Sequence, residues 1–194
     1  VEANCVRPPE NSVNLNGRTQ FAPTKIIHRV GINKENIMDL KTRKKNRLLN
    51  FDYSRNGAYF ITICTKNRFE YLSAIENQNL NSSPILKLSD YGVIAENELK
   101  NFSLFYNNKI FVDKYVIMPN HIHFIISIEN DIHNKQITIS QVVKQFKGAV
   151  TKKIGFSIWQ KSFHDHIIRN EKEYAVLWNY IEYNPCTWEK DCLY

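Results

Sequence analysis

The chain has 194 residues, of which 43% are hydrophobic and 23% charged, with a formal net charge of +7 and an isoelectric point near 9.2. These proportions are ordinary for a globular protein, and the length predicts one domain with extensions. The longest apolar runs are far shorter than the roughly 20 residues of a membrane span, so we expect no membrane segment. The positive charge favours an anionic partner, although a solvated basic surface explains it equally well.

The cysteines and the N-terminal stretch indicate the compartment. Cys5, Cys64, Cys186 and Cys192 form no CxxC pair. The first residues also lack the basic start, apolar run and small-residue cleavage site of a secretory signal. We therefore expect a reduced, cytoplasmic protein.

The first part of the chain is predicted to lie outside the folded domain. Residues 1–37 are poor in periodic apolar residues, so they cannot bury enough surface to offset the entropy of ordering, and we predict a disordered extension there. A basic arm is predicted over 38–57, where the charged side chains are either solvated or in contact with phosphate. Its candidate DNA contacts are Arg43, Lys44, Lys45 and Arg47. The folded domain is predicted to span 58–194.

The first half of that domain shows a strand, a helix and a hairpin. A run dense in β-branched and aromatic residues over 58–65 predicts a buried strand. Apolar residues at helical spacing over 89–102 predict an amphipathic helix. Strands over 110–117 and 122–128 flank Pro119 and Asn120, whose turn chemistry predicts a hairpin.

The second half adds two helices and a short strand. One helix is predicted from a Ser140 cap to a Gly155 stop, and a short strand follows within 159–168. The last helix is predicted to begin at Asn170 as N-cap, with Glu173 three residues later, and to end near Asn184. This order of elements predicts an α+β fold with helices packed on an antiparallel sheet, and we expect a ferredoxin-like (RRM-like) arrangement.

Two histidines are predicted to project from one face of the second strand of the hairpin. His121 and His123 are two residues apart, and alternation along a strand directs both side chains to the same face. Imidazoles fixed on a rigid strand are suited to binding manganese, zinc or a related divalent ion. The alternative is a pair of hydrogen-bonded polar residues, because His-x-His alone is a weak motif.

A second pair, His164 and His166, offers a rival metal site. The pair lacks the apolar residues that frame a buried strand, and it precedes the start of the last helix. These histidines could orient a ligand or meet phosphate, and we interpret His164 as structural.

The last helix carries a tyrosine and an asparagine one turn apart. Its predicted core stripe consists of Tyr174, Leu177, Trp178 and Ile181. Tyr180 and Asn184 then fall on one flank of that stripe. One helix could thus present a nucleophile and a metal ligand to the same ion, whereas Tyr180 taken alone is more simply a packing tyrosine.

Several separated segments of the chain match a known family in order. They are Phe51-Asp-Tyr-Ser54, Tyr59-Phe-Ile-Thr-Ile-Cys-Thr65, Tyr115-Val-Ile-Met-Pro-Asn-His-Ile-His123, Phe146-Lys-Gly-Ala-Val-Thr151, Trp159-Gln160, His166-Ile-Ile-Arg169 and Tyr180-Ile-Glu-Tyr-Asn-Pro185. Through these segments, over roughly 47–191, the chain resembles the single-tyrosine HUH transposases of the IS200-like family. Among these it is most similar to the REP-associated tyrosine transposases.

The resemblance implies a role for each residue of the constellation. His121 and His123 would bind a divalent metal, Mg²⁺ or Mn²⁺, with Asn184 as the third ligand, and Tyr180 would be the nucleophile. Tyr183 is a second tyrosine close to Tyr180, but it lies about 300° further around the helix and faces a different side.

The resemblance also implies a partner and a reaction. Single-stranded DNA with a REP-like hairpin would be cleaved and rejoined through a covalent 5′-phosphotyrosine intermediate. Lys147, Arg169 and the basic arm are the candidate DNA contacts. A homodimer is left open, in which Tyr180 would meet the histidines of a partner chain if the sites were shared.

Three alternatives are weighed against this function. A related HUH nickase for replication or transfer is disfavoured by the short length and the absence of helicase motifs. A domesticated nucleic-acid-binding module would have the same fold without cutting. A metallohydrolase would use water in place of tyrosine and release free 5′-phosphate products.

Overall fold

The computed structural model describes residues 51–76, 84–131 and 136–190. The predicted extension over 1–37 and the candidate DNA contacts Arg43, Lys44, Lys45 and Arg47 lie outside the described residues. The strands are β1 (Gly57–Cys64), β2 (Ser73–Glu76), β3 (Ile85–Leu88), β4 (Ile110–Ile117), β5 (His121–Ile128) and β6 (His164–Ile167). The helices are α1 (Asp90–Lys100), α2 (Phe102–Phe105), α3 (Ile139–Ile154) and α4 (Glu171–Tyr183), and a 3-10 segment, Asn184–Lys190, follows α4.

Four strands form one antiparallel sheet in the order β4-β5-β1-β6. With α1 between β1 and β4, and α3 between β5 and β6, this is the βαββαβ order of a ferredoxin-like fold. The prediction of an α+β fold with an antiparallel sheet is confirmed. The small hairpin of β2 and β3 was not predicted, because each of its strands has only four residues.

Side-chain alternation gives the two faces of this sheet different chemistry. On one face Ile61, Ile63 and Phe124 are fully buried and form the hydrophobic core with α1 and α3. The opposite face carries His121 and His123, and α4 packs against the strands there. The alternation that builds the core therefore places both histidines on the other side of the sheet.

The helices begin at side-chain caps that the sequence predicts in part. The side chain of Asn170 accepts a hydrogen bond from the backbone N–H of Glu173 at the start of α4, as predicted. The predicted Ser140 cap of α3 is wrong, because Thr138 and Gln141 form a capping box two residues earlier. The predicted stop at Gly155 is confirmed, since its φ of 94° is left-handed.

Contacts to β4 hold α4 on the sheet. The Asp113 carboxylate lies at an irregularity of β4 and accepts hydrogen bonds from Ser127 Oγ at 2.6 Å and Tyr174 Oη at 3.1 Å. Lys114 forms an ion pair with Glu182, and its ammonium lies 5.1 Å from the centre of the Trp178 ring. These polar contacts matter because Ile181 is the only buried residue of the helix.

Lys147 has a structural role within α3. Its ammonium donates hydrogen bonds to the backbone carbonyls of Gln160 at 2.9 Å and Ser162 at 2.6 Å. Burial lowers the pKa of Lys147 to about 8. The side chain therefore ties α3 to the segment that leads into β6, and its contact with DNA stays a prediction.

Two further expectations from the sequence concern the state of the cysteines and the absence of a membrane segment. Cys186 is disulfide-bonded, so the expectation of a fully reduced protein is wrong at that residue. Among the described residues, no helix is both long enough and apolar enough to cross a bilayer.

Two helical glycines differ in the space around them, so alanine substitutions at the two positions should have opposite effects on stability. A Cβ on Gly92 would lie 2.0 Å from the carbonyl oxygen of Leu72, which already accepts a hydrogen bond from the Ser89 N–H. We expect Gly92→Ala to lower the free energy of unfolding by about 1–3 kcal/mol through overpacking. Gly148→Ala in α3 meets no atom within 4 Å. Gly148→Ala should therefore raise the free energy of unfolding by up to about 1 kcal/mol. Urea denaturation measures both effects. Equal effects of the two substitutions would contradict this account.

The contacts of Lys147 predict a loss of stability when its charge is removed. Lys147→Met keeps most of the side-chain stem but leaves both carbonyls without their charged donor, so we expect the free energy of unfolding to fall by about 1–3 kcal/mol. Lys144 is exposed on the same helix. Lys144→Met, the control, should change the free energy of unfolding by less than about 0.5 kcal/mol. An unchanged stability in Lys147→Met, with weakened DNA binding, would assign Lys147 to the DNA interface instead.

Candidate active site

A tight turn places His121 at the first position of β5. The backbone N–H of Met118 donates to the carbonyl of His121 at 2.9 Å and closes the β4–β5 hairpin. The carbonyl of Asn120 accepts hydrogen bonds from the backbone N–H of Thr65 at 2.9 Å and from its hydroxyl at 3.0 Å. The turn is thus attached to the end of β1, and the start of β5 is fixed by backbone contacts.

The two histidines are buried and adjacent. His121 is 0% exposed and His123 is 2% exposed, and their ring centres lie 4.5 Å apart. Nδ1 of His121 is hydrogen-bonded to Asn120 Oδ1, and Nδ1 of His123 to Thr62 Oγ1, each at 2.8 Å. Because both Nδ1 atoms are engaged, Nε2 is the nitrogen through which each ring could bind a ligand.

Tyr180 reaches this pair from α4 of the same chain. Its hydroxyl oxygen lies 3.4 Å from His123 Nε2, and the two ring centres are 5.2 Å apart. Phe60 stacks on the His123 ring at 5.2 Å and meets the Tyr180 ring edge-on at 5.9 Å. Since Tyr180 is 41% exposed, its hydroxyl lies where the buried pair meets the protein surface.

Asn184 lies midway between two aromatic residues that contact the histidines. Four residues before it, Tyr180 meets His123, and four residues after it, the Trp188 ring lies 5.8 Å from the His121 ring. Asn184 is 1% exposed, and its side-chain oxygen is buried. Its role as a metal ligand stays a prediction.

The electrostatic environment favours a neutral imidazole at His123. Burial, and then the neighbouring His121, lower the pKa of His123 well below its usual value. A neutral imidazole is the form that donates a lone pair to a metal.

The donor set leaves room for one further type of ligand. Within 51–76, 84–131 and 136–190, no three His, Cys, Asp or Glu side chains are grouped so that they could hold a metal ion. A metal bound by the two imidazoles would therefore need a third donor of another kind, and the amide oxygen of Asn184 is the predicted one. The combination of imidazole nitrogens and an oxygen donor suits a divalent ion such as Mn²⁺.

The rival histidine pair lies on the exposed part of the same sheet. His164 and His166 belong to β6, where both side chains are exposed, and His166 Nε2 lies 2.5 Å from a carboxylate oxygen of Glu173. His164 pairs with Thr62, which pairs with His123 on the next strand. The two pairs are therefore separated by two strand spacings of about 4.8 Å each and do not converge.

Arg169 follows β6 and is exposed. Its backbone N–H donates to the Glu173 carboxylate at 2.7 Å, and Glu173 also holds His166. This arrangement fixes the backbone at Arg169, while contact of its side chain with DNA stays a prediction.

Four residues that contact the histidines were not predicted from the sequence to belong to the site. They are Phe60, Thr62, Asn120 and Trp188. Thr62 could have been found, because alternation along β1 puts it on the same face as the histidines once the pairing of β1 with β5 is assumed. Trp188 had no such signal, since its contact depends on the path of the chain after α4.

Comparison with known proteins shows relatives of the sequence in two bacteria. An uncharacterised protein of Haemophilus influenzae is 34% identical over 174 residues, which cover 78% of this chain and 93% of that protein. The REP-associated tyrosine transposase of Escherichia coli is 26% identical over 133 residues, covering 69% of this chain and 68% of that one. No protein-family model matches the chain.

The fold has a counterpart among solved structures. A REP-associated tyrosine transposase bound to a REP hairpin superposes with a TM-score of 0.51 and 20% identity, over 73% of this chain and 74% of the other. This likeness concerns the fold, and it agrees with the relationship shown by the sequences. The chain belongs to the REP-associated tyrosine transposases, within the IS200-like transposase family.

Proposed function

We propose that this protein cleaves and rejoins single-stranded DNA through a covalent bond between Tyr180 and a 5′-phosphate. The observation that carries the proposal is the distance of 3.4 Å between the Tyr180 hydroxyl and Nε2 of the buried His123. Tyr180 is 41% exposed, so this side chain lies at the protein surface beside a histidine pair suited to a metal.

The proposed metal site consists of His121, His123 and Asn184. When bound, a divalent ion, Mg²⁺ or Mn²⁺, would polarise the scissile phosphate and offset the negative charge of the transition state. The chain's part is to hold two imidazoles on a rigid strand. That rigidity is supported by the burial of both rings and by the fixed turn before His121.

In the proposed reaction Tyr180 Oη attacks the phosphorus in line with the leaving 3′-oxygen. The new bond joins the tyrosine oxygen to phosphorus, the bond between phosphorus and the 3′-oxygen breaks, and the 3′-oxygen leaves as a hydroxyl. The phenolic proton passes to solvent and the departing 3′-oxygen takes up a proton from solvent, so the step involves no net gain or loss of protons. Because the covalent link keeps the phosphodiester energy, attack by a 3′-hydroxyl reverses the step and joins strands without ATP.

The proposed substrate is single-stranded DNA that carries a hairpin. The solved relative is bound to a REP hairpin, and the net charge of +7 favours a phosphate backbone. Tyr180 and the histidines come from one chain, so the proposed reaction does not require a homodimer to complete the site.

Removing the Tyr180 hydroxyl should abolish the covalent product. We expect the unaltered protein, with Mn²⁺ and hairpin-bearing single-stranded DNA from the region flanking its gene, to form an adduct that survives a denaturing gel. Tyr180→Phe should form none, because it keeps the ring but lacks the attacking oxygen. Tyr183→Phe is the matched control and should form the adduct normally, since it is the Tyr180 side chain that contacts His123.

Other outcomes of that assay would favour other functions. DNA binding without any adduct in the unaltered protein would favour a non-cutting module. Cleavage that survives in Tyr180→Phe would move the nucleophile to Tyr183 or to water, and free 5′-phosphate ends would indicate a metallohydrolase.

Losing one imidazole should weaken metal binding. We expect His121→Ala to reduce Mn²⁺ affinity, measured by isothermal titration calorimetry without DNA, by more than the roughly 10–100-fold typical of a lost outer-shell partner. Adduct formation should disappear in parallel, and chelation of the metal should have the same effect in the unaltered protein. His164→Ala is the matched control, because His164 is exposed on β6. A Mn²⁺ affinity that falls in His164→Ala and not in His121→Ala would transfer the site to the rival pair.

A further inference from the structure

Each histidine of the candidate site has one ring nitrogen held by a buried side chain. Asn120 Oδ1 lies 2.8 Å from Nδ1 of His121, and Thr62 Oγ1 lies 2.8 Å from Nδ1 of His123. Asn120 is 2% exposed and Thr62 is 6% exposed. Both partners are therefore enclosed with the rings that they contact, and water does not compete for these hydrogen bonds.

The backbone keeps both partners in place. Thr62 is directly opposite His123 in the pairing of β1 with β5, so the sheet sets the distance between the two side chains. The Asn120 carbonyl accepts two hydrogen bonds from Thr65, which is itself fully buried. The backbone of Asn120 is thus held to the end of β1, so its short side chain starts from a fixed position beside the His121 ring.

The chemistry of Asn120 decides the tautomer of His121, and that of Thr62 allows the same tautomer at His123. An amide oxygen only accepts hydrogen bonds, so Nδ1 of His121 must carry the proton and Nε2 keeps the lone pair. A threonine hydroxyl can accept in the same way from Nδ1 of His123. With both protons on Nδ1, both lone pairs lie on Nε2, and that nitrogen of His123 is the one that Tyr180 meets.

We propose that Asn120 and Thr62 are positioning residues that hold His121 and His123 in the Nδ1-protonated tautomer, with both Nε2 lone pairs ready to bind one divalent ion. The inference rests on the proposed function of the two histidines as metal ligands. Neither Asn120 nor Thr62 touches the metal or the DNA in this scheme, and each acts only through the ring that it holds.

Each position offers a matched pair of substitutions. Asn120→Leu and Thr62→Val keep the approximate volume and remove the hydrogen-bonding oxygen. Asn120→Asp and Thr62→Ser keep an oxygen that can accept from Nδ1. Thermal denaturation of all four variants of the full chain identifies those that fold, and the two Thr62 substitutions provide the test if the buried Asn120 turn does not tolerate leucine.

The first measurement is the tautomer of each ring in the metal-free protein. Long-range ¹H–¹⁵N correlation spectra distinguish a protonated from an unprotonated ring nitrogen, and His121→Ala and His123→Ala assign the signals. We expect protonated Nδ1 and unprotonated Nε2 for both rings in the unaltered protein. Thr62→Val should give a mixture of the two tautomers at His123 and leave His121 unchanged. Thr62→Ser should show the same single tautomer at His123 as the unaltered protein. A protonated Nε2 at either ring of the unaltered protein would overturn the proposal.

The second measurement is Mn²⁺ affinity by calorimetry without DNA. Removing either oxygen should weaken binding about 10–100-fold, as for other lost outer-shell partners, and the variants that keep an oxygen should bind within a few-fold of the unaltered protein. Folded Thr62→Val protein with unchanged tautomers and unchanged Mn²⁺ affinity would overturn the proposal. If the unaltered protein binds no Mn²⁺ and forms no DNA adduct, the proposed metal site fails, and the tautomer spectra still decide whether Asn120 and Thr62 set the protonation of the rings.

Discussion

The pairing of β1 with β5 is the constraint on which the rest of this structure depends. Eight consecutive residue pairs, from Gly57 with Ile128 to Cys64 with His121, fix the register of the two central strands. A shift of one residue would exchange the two faces of β5 and bring His121 and His123 into the hydrophobic core. The isoleucines and Phe124 therefore determine, through their own burial, where the imidazoles lie.

Sequence reasoning could predict what alternation and capping encode. Strand periodicity placed His121 and His123 on one face, and the Asn170 cap with the break at Pro185 located α4 almost to the residue. These features depend on neighbours within a few positions along the chain. The same reasoning missed the β2–β3 hairpin and took Ser140 for the cap of α3, because short polar segments offer several equivalent starts.

Contacts between distant segments were the part that the sequence could not supply. The hydrogen bond of Thr62 to His123 spans 61 positions, and that of Lys114 to Glu182 spans 68. The resemblance to a known family assigned Tyr180 a role, but it gave neither the distance to His123 nor the burial of Asn184. The two hydrogen bonds of Lys147 to backbone carbonyls were likewise not predicted, because they join α3 to a segment 13 to 15 positions further along the chain.

The two halves of the candidate site are attached to the molecule with unequal strength. The histidines belong to β5, in which seven of eight residues are buried, whereas α4 buries Ile181 alone. Local opening of a protein follows such differences, because segments with few buried contacts separate at lower free energy than central strands. We therefore expect that α4 can separate from the sheet while the histidine pair stays in place on β5. In the proposed reaction, a DNA strand attached to Tyr180 would move with α4, while the two imidazoles would keep their positions on β5.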